Sequence, residues 1–249
     1  MTMTPGYTLN DTGGFSYVYL VKDTDGGNLL GSSHQSNNER EVSPNRNNGS
    51  GKNIDGIPKG GPLVLKVTSI HSRAQRDIAE KEAKLLSRLS HPSIVKMYNA
   101  CYRTASQQQS GKRGKDQSNI GKERPQHLIL MEYCEGGHAL DVCNKLASVG
   151  QRFDLSTLII AFGQICNAVS YLHAQRPPIV HRDLKPVNFL VKNGAYKLCD
   201  FGSAVFGHVD LRTPKARSDA EDVVQKTTTQ MFRAPEMIDL FVTKKLTQS

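Results

Sequence analysis

The run His181-Arg182-Asp183-Leu184-Lys185-Pro186-Val187-Asn188, followed twelve residues later by Asp200-Phe201-Gly202, constrains this chain more than any other feature. Between the two blocks, residues 189–191 and 196–199 have the alternation of short strands. They are joined by Lys192, Asn193, Gly194 and Ala195, and an Asn-Gly pair favours a tight hairpin, because both of its residues tolerate positive φ. A hairpin here returns Asn188 and Asp200 to one end of a two-stranded ribbon. An acid, a lysine and an amide on one loop, with a second acid brought back beside them, form a constellation too specific for a solvated charge run.

The rest of the 249 residues divides by composition. Residues 24–61 are about half Gly, Asn and Ser, and residues 104–125 are rich in Gln, Lys, Ser and Gly. Neither segment has enough apolar surface to offset its ordering entropy, so both are expected to be disordered loops inserted into a folded domain. With them set aside, residues 15–21, 63–68, 94–101 and 127–133 read as strands and residues 74–89 as a helix. From Leu155 the pattern changes: Leu158, Phe162, Ile165, Cys166, Val169 and Leu172 recur at three or four residues and predict a buried helical stripe. The expectation is an α+β chain, with a small antiparallel sheet and one helix in residues 1–133 and a helical half in residues 134–249.

Glu82 shares the predicted 74–89 helix with Ile78, Leu85, Leu86 and Leu89 on one face. A carboxylate on an apolar face requires a partner, and Lys66, in the strand Leu63-Val64-Leu65-Lys66-Val67, is the obvious cation. Near the start of the chain Gly13-Gly14, followed by Val18, can bring backbone N–H groups close to a phosphate.

The five cysteines form no CxxC or Cys/His cluster, which suits reduced thiols rather than a disulfide or zinc framework. No basic, apolar leader opens the chain, and no apolar run is expected to reach the length that crosses a bilayer. The net charge of +9 is compatible with handling phosphates. No recognised nucleic-acid module accompanies it, so nucleic acid is not expected as a partner.

Taken with Lys66 and Glu82, the 181–188 and 200–202 blocks resemble the catalytic and magnesium loops of eukaryotic protein kinases. Lys185, two residues after Asp183, resembles the serine/threonine branch. The resemblance implies a bilobal protein-kinase-like fold and an ATP-dependent transfer of phosphate to protein Ser/Thr hydroxyls, with ATP and Mg2+ bound. It implies Asp183 as base, Lys185 as cation on the transferring phosphate, Asn188 and Asp200 as metal ligands, and Lys66 paired with Glu82 to position the ATP phosphates. Asp11, Gly13 and Ser16 stand where the family has three glycines, so only the middle one matches. Leu128 to Cys134 resembles the fifth strand running into the hinge. Met131 would be the gatekeeper, backbone groups of Glu132 and Cys134 would meet the adenine edge, and Val18, Val64 and Leu190 would sandwich its faces. Thr228-Thr229-Gln230-Met231-Phe232-Arg233-Ala234-Pro235-Glu236 resembles the end of an activation segment. Thr229 would meet Asp183 and Lys185, and phosphate on Ser218, Thr227 or Thr228 would dock on Arg182.

More narrowly, Gly13 to Val18, Arg176 to His181, Leu198 to Ala204, Thr227 to Thr229 and Arg233 to Leu240 resemble the Numb-associated kinases, which include the cyclin-G-associated and adaptor-associated kinases. That likeness implies clathrin-adaptor subunits as protein substrates, a cytoplasmic location extending to endocytic membranes, and a further helix beginning within residues 237–241. The sequence is expected to be C-terminally truncated, lacking the helices that complete such a C-lobe and uncovering part of the 158–172 stripe. The rival expectation is a non-catalytic pseudokinase or scaffold that binds nucleotide or protein partners.

Overall fold

The computed structural model describes residues 3–5, 16–22, 61–103, 124–240 and 245–246, the terminal pieces as backbone. Gly13, Gly14 and nearly all of the two expected insertions lie outside the described residues.

Five antiparallel strands form the first sheet: β1 (Met3–Pro5), β2 (Ser16–Lys22), β3 (Pro62–Ser69), β4 (Met97–Arg103) and β5 (Gln126–Glu132), in the order β1-β2-β3-β5-β4. Period-two alternation organises β3. Leu63, Leu65 and Val67 are buried with Val21 and Leu130 on one face, which turns Val64, Lys66 and Thr68 to the other. Between β3 and β4 runs helix α1 (Arg73–Leu86), whose N-cap Ser72 accepts the Gln75 N–H. Ala79, Glu82, Leu85 and Leu86 are its buried positions. Ile78, expected on that stripe, is 47% exposed, because the helix is rotated so that Ala79 and Glu82 face the sheet.

The expected strand over residues 94–101 starts later. Ile94 and Val95 cross to the second half of the molecule, where Ile94 bridges to Leu198 and the Val95 N–H donates to the Leu198 carbonyl, and β4 begins at Met97. The sheet is thereby tied to the hairpin of β7 (Phe189–Lys192) and β8 (Ala195–Leu198). The hairpin turns through Asn193 and Gly194 alone, at φ 49° and 75°, as the Asn-Gly pair predicts.

The second half adds α2 (Ala139–Ser148), α3 (Leu155–His173), the ribbon of β6 (Ile179–Val180) with β9 (Val205–Phe206), β10 (Val209–Asp210) paired with β11 (Lys245–Leu246), α4 (Pro214–Thr227) and α5 (Pro235–Ile238). Helix α5 is a single turn that ends at Ile238, and the further helix expected to begin within residues 237–241 would run into residues outside those described. A continuous core runs from Leu85, Leu86 and Ile94 to Leu172, Phe189, Leu198 and Phe201, so the two halves share one apolar foundation under the cleft.

Helix α3 buries only part of the expected 158–172 stripe, and it corrects the expectation that no apolar run is long enough to cross a bilayer. Its buried positions are Ala161, Ala168 and Leu172, whereas Leu158 is 50% and Phe162 64% exposed and Cys166 is exposed as well. The alanines let the helix approach β8 closely, where Gln164 accepts the Tyr196 N–H at 2.8 Å, and the larger apolar residues point away. The helix is also, by length and composition alone, apolar enough to cross a membrane, with a mean hydropathy of 1.5. One side of it packs against β8, while Leu155, Leu158, Ile159, Ile160 and Phe162 are exposed among the described residues.

Candidate active site

Each half of the cleft contributes charges through a different local device. On β3 the register places Val18 opposite Lys66 and Met131 opposite Val64, so these four side chains share the face turned to the cleft. Glu82 reaches the same place from α1. The Lys66 Nζ lies 2.7 Å from Glu82 Oε1 and 3.5 Å from Asp200 Oδ1. Burial alone would pull the Lys66 ammonium down, but Glu82 and Asp200 outweigh it and its pKa is raised. Burial, reinforced by Asp200, raises the Glu82 carboxyl against the pull of Lys66. Burial also acts upward on Asp200, but the Lys66 ammonium, helped by the Gly202 N–H, pulls the other way and the carboxyl lies below its ordinary value.

The loop 181–188 is held by hydrogen bonds that begin with His181. Its ring is buried and neutral, since burial lowers its pKa. One nitrogen meets the Cys199 carbonyl at 3.1 Å, so it carries the proton and donates; the other accepts the Asp183 N–H at 3.4 Å. The ring packs edge-on against Phe201, which is 1% exposed. A neutral imidazole thus couples the backbone beside Asp183 to the backbone beside Asp200. Arg182 and Asp200 adopt left-handed backbone at φ 69° and 58°. Non-glycine residues enter that region at a cost that the surrounding packing must hold down.

Asn188 donates from Nδ2 to the Asp183 carbonyl at 2.8 Å and to Oδ2 at 3.3 Å. Lys185 Nζ sits 3.1 Å from Asp183 Oδ2 and donates to Thr229 Oγ1 at 2.7 Å, while the Thr229 N–H donates to Asp183 Oδ1 at 3.0 Å. Asp183, Lys185, Asn188 and Thr229 therefore form one connected cluster. Asp183, Lys185 and Asn188 are each buried.

At the other end of the cleft Cys134 packs with Val95 and Cys199, flanked by Met131 and Leu190. Burial pushes the Cys134 thiol up to about 12 and raises Cys199 further, so both are inert neutral thiols. All five cysteines are free. Val18 and Val64 are half-buried on the adjacent strands.

Three features escaped sequence reasoning. Helix α4 lies between the Asp200 loop and Thr228; its signals were Thr213 capping the Ala216 N–H, Pro214 at the first turn, and Ala216, Ala220 and Val224 at four-residue spacing. Arg233 anchors the segment after α4, donating from Nε to Thr228 Oγ1 at 2.8 Å. The third is the side chain of Glu132, taken in sequence only for its backbone. Arg182 donates from Nε to the Ser203 carbonyl at 2.7 Å. It lines a cavity of about 960 Å3 between α1 and α4 that reaches Lys66 and Asp200 at one end and Thr227 at the other.

A divalent cation fits this donor set. Among the described residues no three His, Cys, Asp or Glu side chains converge as a self-sufficient metal cage. A single carboxylate, Asp200, and the amide oxygen of Asn188 leave coordination positions for phosphate and water, which is how magnesium rather than zinc is held.

Comparison with known proteins agrees with this chemistry. The protein kinase domain family model matches residues 55–248. Two probable serine/threonine-protein kinases of Dictyostelium discoideum are 32% and 31% identical over 232 residues each, covering 92% of this chain but 16% and 23% of the relatives. Serine/threonine-protein kinase ppk30 of Schizosaccharomyces pombe is 32% identical over 181 residues, covering 72% of this chain and 17% of the relative. The chain thus spans less than a quarter of the length of these curated relatives. With the cleft charges, the hairpin and the family match in agreement, the chain belongs to the protein kinase domain family, of the serine/threonine kind.

Proposed function

We propose that this domain transfers the γ-phosphate of ATP to serine or threonine hydroxyls of a protein substrate. The observation that carries the reading is Lys66 lying within reach of both Glu82 and Asp200, across the cleft from the Asp183-Lys185-Thr229 cluster. Lys66, oriented by Glu82, would bind the ATP phosphates. Met131, backbone groups of Glu132 and Cys134, and the apolar Val18, Val64 and Leu190 would receive the adenine, with Gly13 and Gly14 over the phosphates. Asp200 and Asn188 would hold Mg2+, which when bound neutralises phosphate charge. Asp183 would orient the substrate hydroxyl and take its proton, and Lys185 would sit beside the transferring group. Thr229, now on both Asp183 and Lys185, marks where the substrate hydroxyl approaches. Of the three residues considered for regulatory phosphate, Thr227 shares the Arg182 cavity. The Thr228 hydroxyl is already engaged by Arg233 and by the Val224 carbonyl.

The narrower reading rests on the sequence likeness to the Numb-associated kinases. It assigns clathrin-adaptor subunits as substrates and a cytoplasmic site of action extending to endocytic membranes, with peripheral attachment. The non-catalytic alternative is disfavoured because Lys66, Glu82, Asp183, Asn188 and Asp200 are all present and assembled. In the full-length protein, Asp183→Asn should lower phosphotransfer to a clathrin-adaptor peptide by about 10²–10⁴-fold while calorimetry shows ATP binding retained. Undiminished transfer by the variant would remove Asp183 from its role, and a wild type that binds ATP without transferring phosphate to any protein would establish the scaffold reading.

A further inference from the structure

Glu132 ends β5 at the point where the chain leaves the sheet for the second half, and it is 6% exposed. A carboxylate so deeply placed requires several donors, and it has three. Oε1 accepts the Lys96 N–H at 2.7 Å and faces Lys197 Nζ at 2.9 Å; Oε2 faces Lys192 Nζ at 2.7 Å. Lys192 and Lys197 stand on β7 and β8, the hairpin whose ends carry Asn188 and Asp200. The clamp is continued by backbone. Gly136 N–H donates to the Val191 carbonyl at 2.9 Å, Val191 N–H donates to the Gly137 carbonyl at 2.8 Å, and Glu135 accepts the Asn193 N–H at 2.6 Å. The approach is so close that a Cβ on Gly136 would come within 2.7 Å of the Val191 Cβ.

This arrangement is more than a surface pair, whose contribution would be small. Lys192 and Lys197 side chains are 29% and 15% exposed against 7% for Glu132. Burial raises the Glu132 carboxyl, but Lys192, Lys197 and the Lys96 N–H together hold it below its ordinary range, so the group is ionised and fully engaged at neutral pH. Nothing in phosphate chemistry requires a charge here, since the acids that face the phosphates lie at Glu82 and Asp200. What the contact does control is the segment from Glu132 to Cys134, whose backbone emerges from β5 with one end fastened.

We propose that the Glu132 carboxylate is a positioning residue for the nucleotide base: by clamping the end of β5 to Lys192 and Lys197, it fixes the hinge backbone that pairs with the adenine edge. The inference rests on the reading of Glu132 and Cys134 as the adenine contact. It assigns to the hairpin a second task beyond holding Asn188 and Asp200, because the same ten residues then set the base end and the phosphate end of the cleft against one another.

The test uses the full-length protein, with magnesium present, and two probes: ATP, and inorganic tripolyphosphate, which has the phosphates without the base. Glu132→Gln is expected to raise the KM for ATP about tenfold with kcat changed less than about twofold, as loss of a charge-assisted contact on a binding element should. Its affinity for tripolyphosphate should be unchanged. The double variant Lys192→Met/Lys197→Met, which leaves Glu132 in place, should raise the ATP KM by a similar factor, and combining all three substitutions should add little, because the groups act as a unit. If Glu132→Gln does not fold, the lysine double variant decides alone. Unchanged ATP affinity in the folded variants overturns the proposal. So does a parallel loss for ATP and tripolyphosphate, which is what general loosening of the domain would produce. A wild type that binds tripolyphosphate as tightly as ATP would instead defeat the hinge reading on which the proposal stands.

Discussion

At the phosphate end of the cleft one lysine, Lys66, faces two carboxylates, Glu82 and Asp200; at the hinge end one carboxylate, Glu132, faces two lysines, Lys192 and Lys197. The two clusters are near mirror images in charge, yet they answer to different demands. Around Lys66 the acids outnumber the cation, and Glu82 is raised by burial and by Asp200. That surplus negative charge in a buried place calls for a further cation, which a divalent ion bound with ATP would supply. Around Glu132 every carboxylate lone pair that matters is met by protein, and the excess positive charge sits on lysines still partly in water. The first cluster is unfinished without its ligand, whereas the second is complete and can serve as a fixed frame.

Removing Lys66 should break the comparison most severely. Lys66→Met leaves Glu82 and Asp200 buried and facing each other, and kcat/KM should fall about 10²–10³-fold, measured by steady-state phosphotransfer. Glu82→Gln keeps the shape and one acceptor and leaves Asp200 to hold the lysine, so a loss of about tenfold in kcat/KM is expected from the same assay. The hinge end is loosened without touching a charge by Gly136→Ala, whose new methyl would meet Val191 at 2.7 Å. Overpacking of that kind should cost about 1–3 kcal/mol in urea unfolding.

Acid should separate the two clusters in a defined order. Glu82, raised in the folded state, takes its proton first as pH falls; the folded form binds that proton more tightly than the unfolded chain, so this group's contribution to stability grows as pH drops through its folded value. Glu132, lowered in the folded state, behaves oppositely. Its contribution is present above the unfolded value and is lost as pH falls through the folded one. Carboxyl carbon shifts followed by NMR should show Glu82 titrating at higher pH than Glu132, and the reverse order would undo the contrast.

Much of the catalytic cluster was legible because its members are close in sequence and joined by a turn of known chemistry. The Asn193-Gly194 pair dictates a two-residue hairpin, and a two-residue hairpin places Asn188 and Asp200 at one end. Lys66 and Glu82 were also readable, each from a local period: two on the strand, three to four on the helix. Side-chain orientation around long apolar helices was not. In α3 the apolar arc is wide, running from Ala161 and Ala168 on one side to Ile159 and Cys166 on the other, so the period could not say which part of it meets β8. The answer depended on Ala161 and Ala168 of α3 permitting close approach to β8, a match between two surfaces that neither segment shows alone. Ile94 and Val95 read as strand because they are apolar and β-branched, yet they are claimed by Leu198, more than 100 residues away in the chain.

By itself, then, the amino-acid sequence determined the chemical inventory and the local turns: which acids, amines and amides exist, and which of them a hairpin or a helical face must carry together. Tertiary structure decided which charges are shared. Lys66 is divided between Glu82 and Asp200, and Glu132 gathers lysines from two strands. These are choices of distance and burial between segments that no local pattern connects, because the energy of a charge depends on everything that displaces water around it.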